Sequence, residues 1–203
     1  MICRKFDSDS IEKAVRELKN GQVLVLPTDT VYGFSAIVDL KGNTSFYAQN
    51  KIMDIKGRGK EKPFIQLLGC PEDIKKYTDR EIPDQLLKLW PGPLTVIVPV
   101  KSENPLLEEM ETVAFRCPGD KWLRQIITEC GAPVYSTSVN RSGQPVLSSP
   151  AAIEKEFGSE VSLIVDDGDK INSVPSTIVM LEDKGIKLIR SGALDVSSII
   201  SSF

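Results

Sequence analysis

Short apolar runs, each long enough for one buried strand, alternate along this chain with segments whose apolar residues recur at helical spacing. The runs are Val23–Leu26, Phe34–Val38, Phe64–Leu68, Leu94–Val100, Thr112–Arg116, Pro133–Thr137, Val161–Val165, Ser176–Leu181 and Ile186–Arg190. Continuous β-branched and aliphatic runs of this length suit strands covered on both faces. Between them, Ile11, Ala14, Val15 and Leu18 trace one face of a helix, with a capping box expected at Asp9 and Glu12 and a stop at Gly21. Further helices are expected over 43–56, carrying Phe46, Ile52 and Met53, over Pro71–Tyr77, Pro83–Trp90, Lys121–Cys130 and Ala151–Phe157, with Asp195 capping a last short one. Interleaved strands and helices predict α/β architecture. The last two runs, joined across Glu182-Asp183-Lys184-Gly185, predict an antiparallel pair, so the sheet should be mixed and flanked by helices. With no internal repeat and no low-complexity linker, residues 1–203 read as a single domain.

The chemistry is bounded by what the chain lacks. It has no histidine, which excludes Ser-His-Asp and Cys-His nucleophile activation and every His-ligated metal. Cys3, Cys70, Cys117 and Cys130 form no C-x-x-C pair, so neither a zinc site nor a redox dithiol is indicated, and reduced thiols fit a cytoplasmic location. No apolar run approaches a membrane span, and the first residues lack the apolar core of a signal peptide. An enzyme built from this sequence works by positioning and electrostatics. A net charge of -3 argues against broad nonspecific nucleic-acid binding, although a local basic stripe can still meet phosphate.

Such a stripe is present. Lys56-Gly57-Arg58-Gly59-Lys60-Glu61-Lys62-Pro63 carries a cation at every second position, and in an extended chain those side chains would share one side. A polyphosphate suits it, with Lys56 and Arg58 the better-motivated pair; a solvated charged loop is the plainer reading of the stretch taken alone. Three other segments repeat the alternation. Thr28, Thr30 and Tyr32 would offer hydroxyls on one side, Ser136, Ser138 and Asn140 would do the same, and Thr112 and Arg116 would share a strand face across Ala114. Singly, each is ordinary turn or strand-end chemistry. Together they supply the donors that an amino acid's carboxylate and a nucleotide require. No Walker loop is present to hold that nucleotide.

In its ordered motifs the chain resembles the YrdC-like threonylcarbamoyl-AMP synthase family. The matches are Pro27-Thr28-Asp29-Thr30-Val31-Tyr32-Gly33, Lys56-Gly57-Arg58, Trp90-Pro91-Gly92-Pro93-Leu94-Thr95, Thr112–Arg116, Ser136-Thr137-Ser138-Val139-Asn140, Ser142-Gly143, Pro175-Ser176-Thr177 and Ile189-Arg190-Ser191-Gly192. The resemblance implies a twisted mixed α/β sheet around a concave basic pocket. It implies synthesis of threonylcarbamoyl-AMP and pyrophosphate from L-threonine, bicarbonate and ATP, for threonylcarbamoyladenosine in tRNA. By position, Thr30, Arg116, Ser136 and Ser176 would contact threonine, and Lys56, Arg58, Lys62, Thr112, Ser138, Asn140, Val146 and Arg190 the nucleotide, Lys56 and Asn140 also completing the K-x-R and S-x-N signature. Lys56, Arg58, Ser138 and Asn140 would form the catalytic set. Mg2+ would arrive on ATP, with no protein side chain ligating it. The chain departs from the family pattern at Gly59, Lys62, Leu67, Val139 and Pro175, and it lacks the C-terminal domain of longer members.

The resemblance leaves room for direct binding of tRNA or another structured RNA, and for a downstream threonylcarbamoyl transferase as partner. Two other readings stay open at this point. One is an RNA-binding or ribosome-associated module without synthase activity. The other is a related ATP-dependent enzyme acting on another amino acid.

Overall fold

The structure, a computed structural model, describes residues 1–42, 45–57, 59, 64–101, 103, 111–183 and 185–201. Arg58, Lys60 and Lys62 lie outside the described residues, as does most of the acidic segment 103–111. In chain order the elements are β1 (Ile2–Arg4), α1 (Ser10–Lys19), β2 (Leu24–Pro27), β3 (Tyr32–Ile37), α2 (Ala48–Lys56) and β4 (Ile65–Leu67). A 3-10 turn (Pro71–Lys76), α3 (Asp84–Leu87), β5 (Leu94–Pro99), β6 (Thr112–Arg116), α4 (Lys121–Cys130) and β7 (Val134–Ser138) follow. The chain then forms α5 (Pro150–Phe157), β8 (Leu163–Asp166), β9 (Thr177–Glu182), β10 (Gly185–Arg190) and α6 (Ser197–Ile200).

Among the described residues ten strands form one sheet in the order β1-β8-β2-β3-β7-β4-β6-β5-β9-β10. It is mixed, as expected: β1–β8, β8–β2, β4–β6 and β5–β9 run parallel, and the other neighbours antiparallel. Because side chains alternate across a strand, register sorts every residue onto one of two faces. One face carries Val25, Phe34, Tyr135, Phe115, Val96 and Val179 into a core completed by Ile52 and Met53 of α2 and Ile153 and Phe157 of α5. On the other, Leu24, Leu26, Ile37, Val134 and Leu67 meet Ala14 and Leu18 of α1 and Leu123, Ile126 and Ile127 of α4. Helices thus cover both faces. The second face is covered over only part of its width, and its remainder carries the polar residues described below.

Several expectations shift for local reasons. The Asp9 carboxylate makes no capping bond and instead pairs with Lys13 at 2.8 Å, so the box at Asp9 and Glu12 does not form. The helix over 43–56 begins only at Ala48. Asp39 accepts the amides of Phe46 and Ala48 at 2.6 and 3.4 Å, and Tyr47 has a left-handed φ of 53°, which holds the preceding chain out of the helix. Val161 N donates a hydrogen bond to Phe157 O at 3.2 Å at the end of α5, delaying β8 to Leu163. Pro99 is tolerated because β9 pairs only as far as Ile97, so the end of β5 is bonded on the β6 side alone. The strand at Ile2–Arg4 has no counterpart in the sequence reading, whereas β6 and α4 lie where expected. Among the described residues no helix is long and apolar enough to cross a membrane.

Candidate active site

Alternation and register bring the candidate residues together. Ser136 lies opposite Ile65, Ile65 opposite Ala114, and Ala114 shares its face with Arg116. Farther along the same face come Thr95 and Ile178, then Arg190 opposite Ile178. A cavity of about 540 Å³ opens over these strands, lined among others by Thr30, Lys56, Arg116, Ser136, Ser138, Asn140, Val146, Ser176 and Arg190. Nine of the expected positions therefore meet in one place. Arg58 and Lys62 lie outside the described residues. Thr112 shares the face of Arg116 but sits exposed at the far end of β6, opposite Pro99, and is not among the lining residues.

The hydroxyl segment 28–32 converges as a turn, which corrects the expectation of an extended ribbon. Thr28 and Thr30 lie between β2 and β3, and their hydroxyls are 2.9 Å apart. Thr28 Oγ1 donates to Val31 O at 2.8 Å, so the Thr30 hydroxyl donates to Thr28 and accepts from Arg116 Nη1 at 2.9 Å. Tyr32 does not offer its hydroxyl to the cavity. That group donates to Gly168 O at 2.7 Å and accepts from Asp167 N at 2.8 Å, and burial pushes its pKa up to about 12.

Arg116 is almost fully buried. Its Nε donates to Gly92 O at 3.1 Å and its Nη2 to Asp29 Oδ1 at 2.7 Å. Burial lowers the pKa of this guanidinium, and Asp29 opposes the shift. Three of its five N–H groups are thereby engaged with described residues. Asp29 is the partner that the sequence reading missed. The signal available was its place between Thr28 and Thr30, together with the rule that a buried arginine needs a counter-charge.

Ser136 Oγ makes no hydrogen bond with another described residue and faces the cavity, so it is available to a ligand. Across the site, Ser176 Oγ lies 2.9 Å from Thr95 Oγ1, and Arg190 donates to Ser176 O and Oγ at 2.8 and 3.2 Å through Nη2. Thr95 is a second residue the sequence reading left without a role. Gly192 permits this pairing, because a Cβ there would fall 2.4 Å from Pro175 O and from the carbonyl carbon of Ser176. Burial lowers the Arg190 pKa, and repulsion from Arg116 lowers it further.

Lys56 corrects the cation stripe. It is the last residue of α2, not part of an extended strand, and it is buried. Its Nζ donates to Ser138 O at 2.5 Å, Asn140 O at 3.1 Å and Asn140 Oδ1 at 2.9 Å, and lies 5.4 Å from the centre of the Phe34 ring. Ser138 Oγ donates to the same Asn140 Oδ1 at 2.8 Å. Asn140 Nδ2 donates to Arg141 O and Gln144 O at 2.9 and 2.8 Å, so its partners leave one orientation of the amide.

The described lining thus contains three cations, several hydroxyls and no carboxylate. This arrangement suits an anion bearing several oxygens. No cluster of cysteine, aspartate or glutamate suited to a metal ion occurs among the described residues.

Comparison with known proteins agrees with this geometry. The Sua5/YciO/YrdC family, described as "Telomere recombination", matches residues 16–192. The threonylcarbamoyl-AMP synthase of Pyrococcus abyssi is 30% identical over 204 residues, covering 98% of this chain and 58% of the relative. The solved structure of P. abyssi Sua5 complexed with L-threonine superposes with a TM-score of 0.82 at 28% identity, over 98% of this chain and 58% of that one. Escherichia coli YciO superposes with a TM-score of 0.80 at 25% identity, over 97% and 96% of the two chains. The chain therefore spans a little over half of its P. abyssi relative and nearly all of YciO. On the match over residues 16–192, with the sheet and cavity those residues build, the chain belongs to the Sua5/YciO/YrdC family.

Proposed function

We propose that this chain is a threonylcarbamoyl-AMP synthase, joining L-threonine, bicarbonate and ATP into threonylcarbamoyl-AMP with release of pyrophosphate. The observation that carries the proposal is one cavity lined by Arg116, Arg190 and a row of hydroxyls, with no carboxylate among the described lining residues. An amino-acid carboxylate and a triphosphate are the anions this chemistry fits. The likeness to a Sua5 solved with L-threonine supports the choice of amino acid.

In this reading the uncommitted N–H groups of Arg116 and the Ser136 hydroxyl receive the threonine carboxylate, beside Thr30 and Ser176. Arg190, Ser138 and Val146 border the nucleotide, and Arg58, Lys62 and Thr112 are the further contacts that the family motifs assign to it. The threonine amine attacks carbon dioxide derived from bicarbonate, forming the N–C bond of a carbamate and losing a proton to solvent. A carbamate oxygen then attacks the α-phosphorus, and the bond from that phosphorus to the bridging oxygen breaks, so pyrophosphate leaves with the electron pair. ATP enters as its Mg2+ complex, the cation belonging to the substrate. Fixed guanidinium charge favours the step because negative charge gathers on the phosphate oxygens as the bond breaks. The product would pass in the cytoplasm to a transferase that modifies an adenosine of tRNA.

The test is pyrophosphate release by the purified chain with ATP, Mg2+ and bicarbonate, comparing L-threonine, L-serine and no amino acid. Release that needs both threonine and bicarbonate, with a product mass matching threonylcarbamoyl-AMP, is expected. Release with serine alone would move the proposal to another amino acid. No release with either, alongside RNA retention that falls steeply between about 50 and 200 mM salt, would favour an RNA-binding module instead.

A further inference from the structure

Lys56 is a cation lining an anion site, yet its three ammonium protons face three oxygens of one short segment, Ser138 O, Asn140 O and Asn140 Oδ1. An ammonium has three donors and no more. A phosphate oxygen could be bound only at the expense of one of these contacts, in a site where the lysine is 3% exposed. The same helix end makes two further ties to this segment. Lys56 O accepts from Ser142 N at 2.8 Å, and Ile55 O accepts from Arg141 Nη1 at 2.5 Å. The end of α2, which packs on one face of the sheet, is thereby stitched to the exit of β7, whose Ser136 and Ser138 look out of the other face into the cavity.

From this geometry we infer that Lys56 is a positioning residue: it fixes the Ser138–Asn140 segment, and through it the hydroxyls of β7, without itself binding phosphate. Its charge still acts across the cavity, but its hydrogen bonds belong to the protein. Asn140 is the hinge of the arrangement, since its Oδ1 receives both Lys56 Nζ and Ser138 Oγ. Networks of this kind respond as a unit, so their members are strongly coupled. The inference rests on the proposed synthase activity for its ligands, and it predicts something a phosphate ligand would not do. Disturbing Lys56 should damage threonine binding in the absence of ATP, because Ser136 stands two residues before Ser138 on the same strand face.

The experiment uses the full chain as wild type, Lys56→Met, Asn140→Ala and the double variant. Half-buried Asn140 gives a second handle on the same unit should Lys56→Met fail to fold. L-Threonine affinity is measured without nucleotide by titration calorimetry, tripolyphosphate affinity separately, and kcat and KM for both substrates in the pyrophosphate assay. The expected result is a loss of about tenfold in threonine affinity for each single variant and no further loss in the double variant, the coupling of neighbours in one network. KM for threonine and for ATP should rise together. Loss of tripolyphosphate binding with threonine affinity unchanged would overturn the inference and make Lys56 a phosphate ligand. Unchanged KM values with a reduced active fraction would reduce Lys56 to a structural lysine. Should the wild-type chain bind no threonine, the synthase proposal fails, and amide exchange decides the anchoring by itself: faster exchange at Ser142 and Leu147 in Lys56→Met supports it, and unchanged exchange overturns it.

Discussion

At the scale of single residues, the site turns on how far each polar group is already occupied. Arg116 holds Asp29, Thr30 and Gly92 and still keeps N–H groups for a ligand. Arg116→Ala should therefore weaken threonine binding by about 1.5 to 3 kcal/mol, the worth of a charged hydrogen bond. Titration with L-threonine measures this directly, and an unchanged affinity would remove Arg116 from the amino-acid site. Ser136 depends on a different kind of neighbour. A Cβ on Gly33 would stand 2.7 Å from Ser136 Oγ, so Gly33→Ala forces that hydroxyl aside. The expected outcome is a cost of about 1 to 3 kcal/mol, shared between stability and threonine affinity. A thermal melt and a threonine titration separate the two parts, and wild-type values in both would show that the strands absorb the methyl group.

At the scale of elements, the backing of the site depends on a buried cation that no catalytic argument uses. Lys5, just after β1, reaches Asp120 at the start of α4 at 2.5 Å and Asp167 just after β8 at 3.1 Å. Burial opposes its charge, but the hydrogen bonds to the two carboxylates win, and its pKa is raised. The Asp167 amide in turn donates to the hydroxyl of Tyr32, which ties the end of β8 to the start of β3. Removing Lys5 leaves two carboxylates facing each other with less compensation, and breaking a buried pair of this kind costs about 3 to 5 kcal/mol. Lys5→Ala should lower Tm by roughly 6 to 20 °C for a chain of this size. A calorimetric scan showing a shift within error would mean that the triad is better solvated than its burial implies.

For the whole molecule, the four cysteines are free thiols, three of them buried, and burial alters their titration. Burial pushes Cys117 up to about 12 and Cys130 to about 11, from 9.0 in an open chain; Tyr77 rises likewise to about 12 from 10.0. The native state keeps these protons while the unfolded chain releases them. Their contribution is complete below about pH 9 and is lost as pH rises through 11 to 12. Stability should fall by about 1.4 kcal/mol per pH unit for each such group. Urea unfolding at successive alkaline pH values measures the slope, and the double variant Cys117→Ala, Cys130→Ala should flatten it; an unaltered slope would assign the loss to other groups. Much of the fold was legible beforehand, since β6 and α4 are encoded by local patterns, the apolar run Val113-Ala114-Phe115 in one and an amphipathic repeat between Asp120 and Gly131 in the other. The lining of the cavity was legible too, because Thr30, Arg116, Ser136, Ser138, Asn140, Ser176 and Arg190 sit in ordered motifs, and all of them line one cavity. By itself the sequence determined which side chains each strand offers to each face, since period-two alternation is a property of the backbone. Only the tertiary structure decided what those side chains hold. β1 exists because β8 offers an edge to pair with, Asp29 matters because Arg116 arrives from a strand far along the chain, and Lys56 turns to Asn140 because α2 ends beside the exit of β7. Each of these is a long-range contact, and a local pattern carries no information about the partner at its other end.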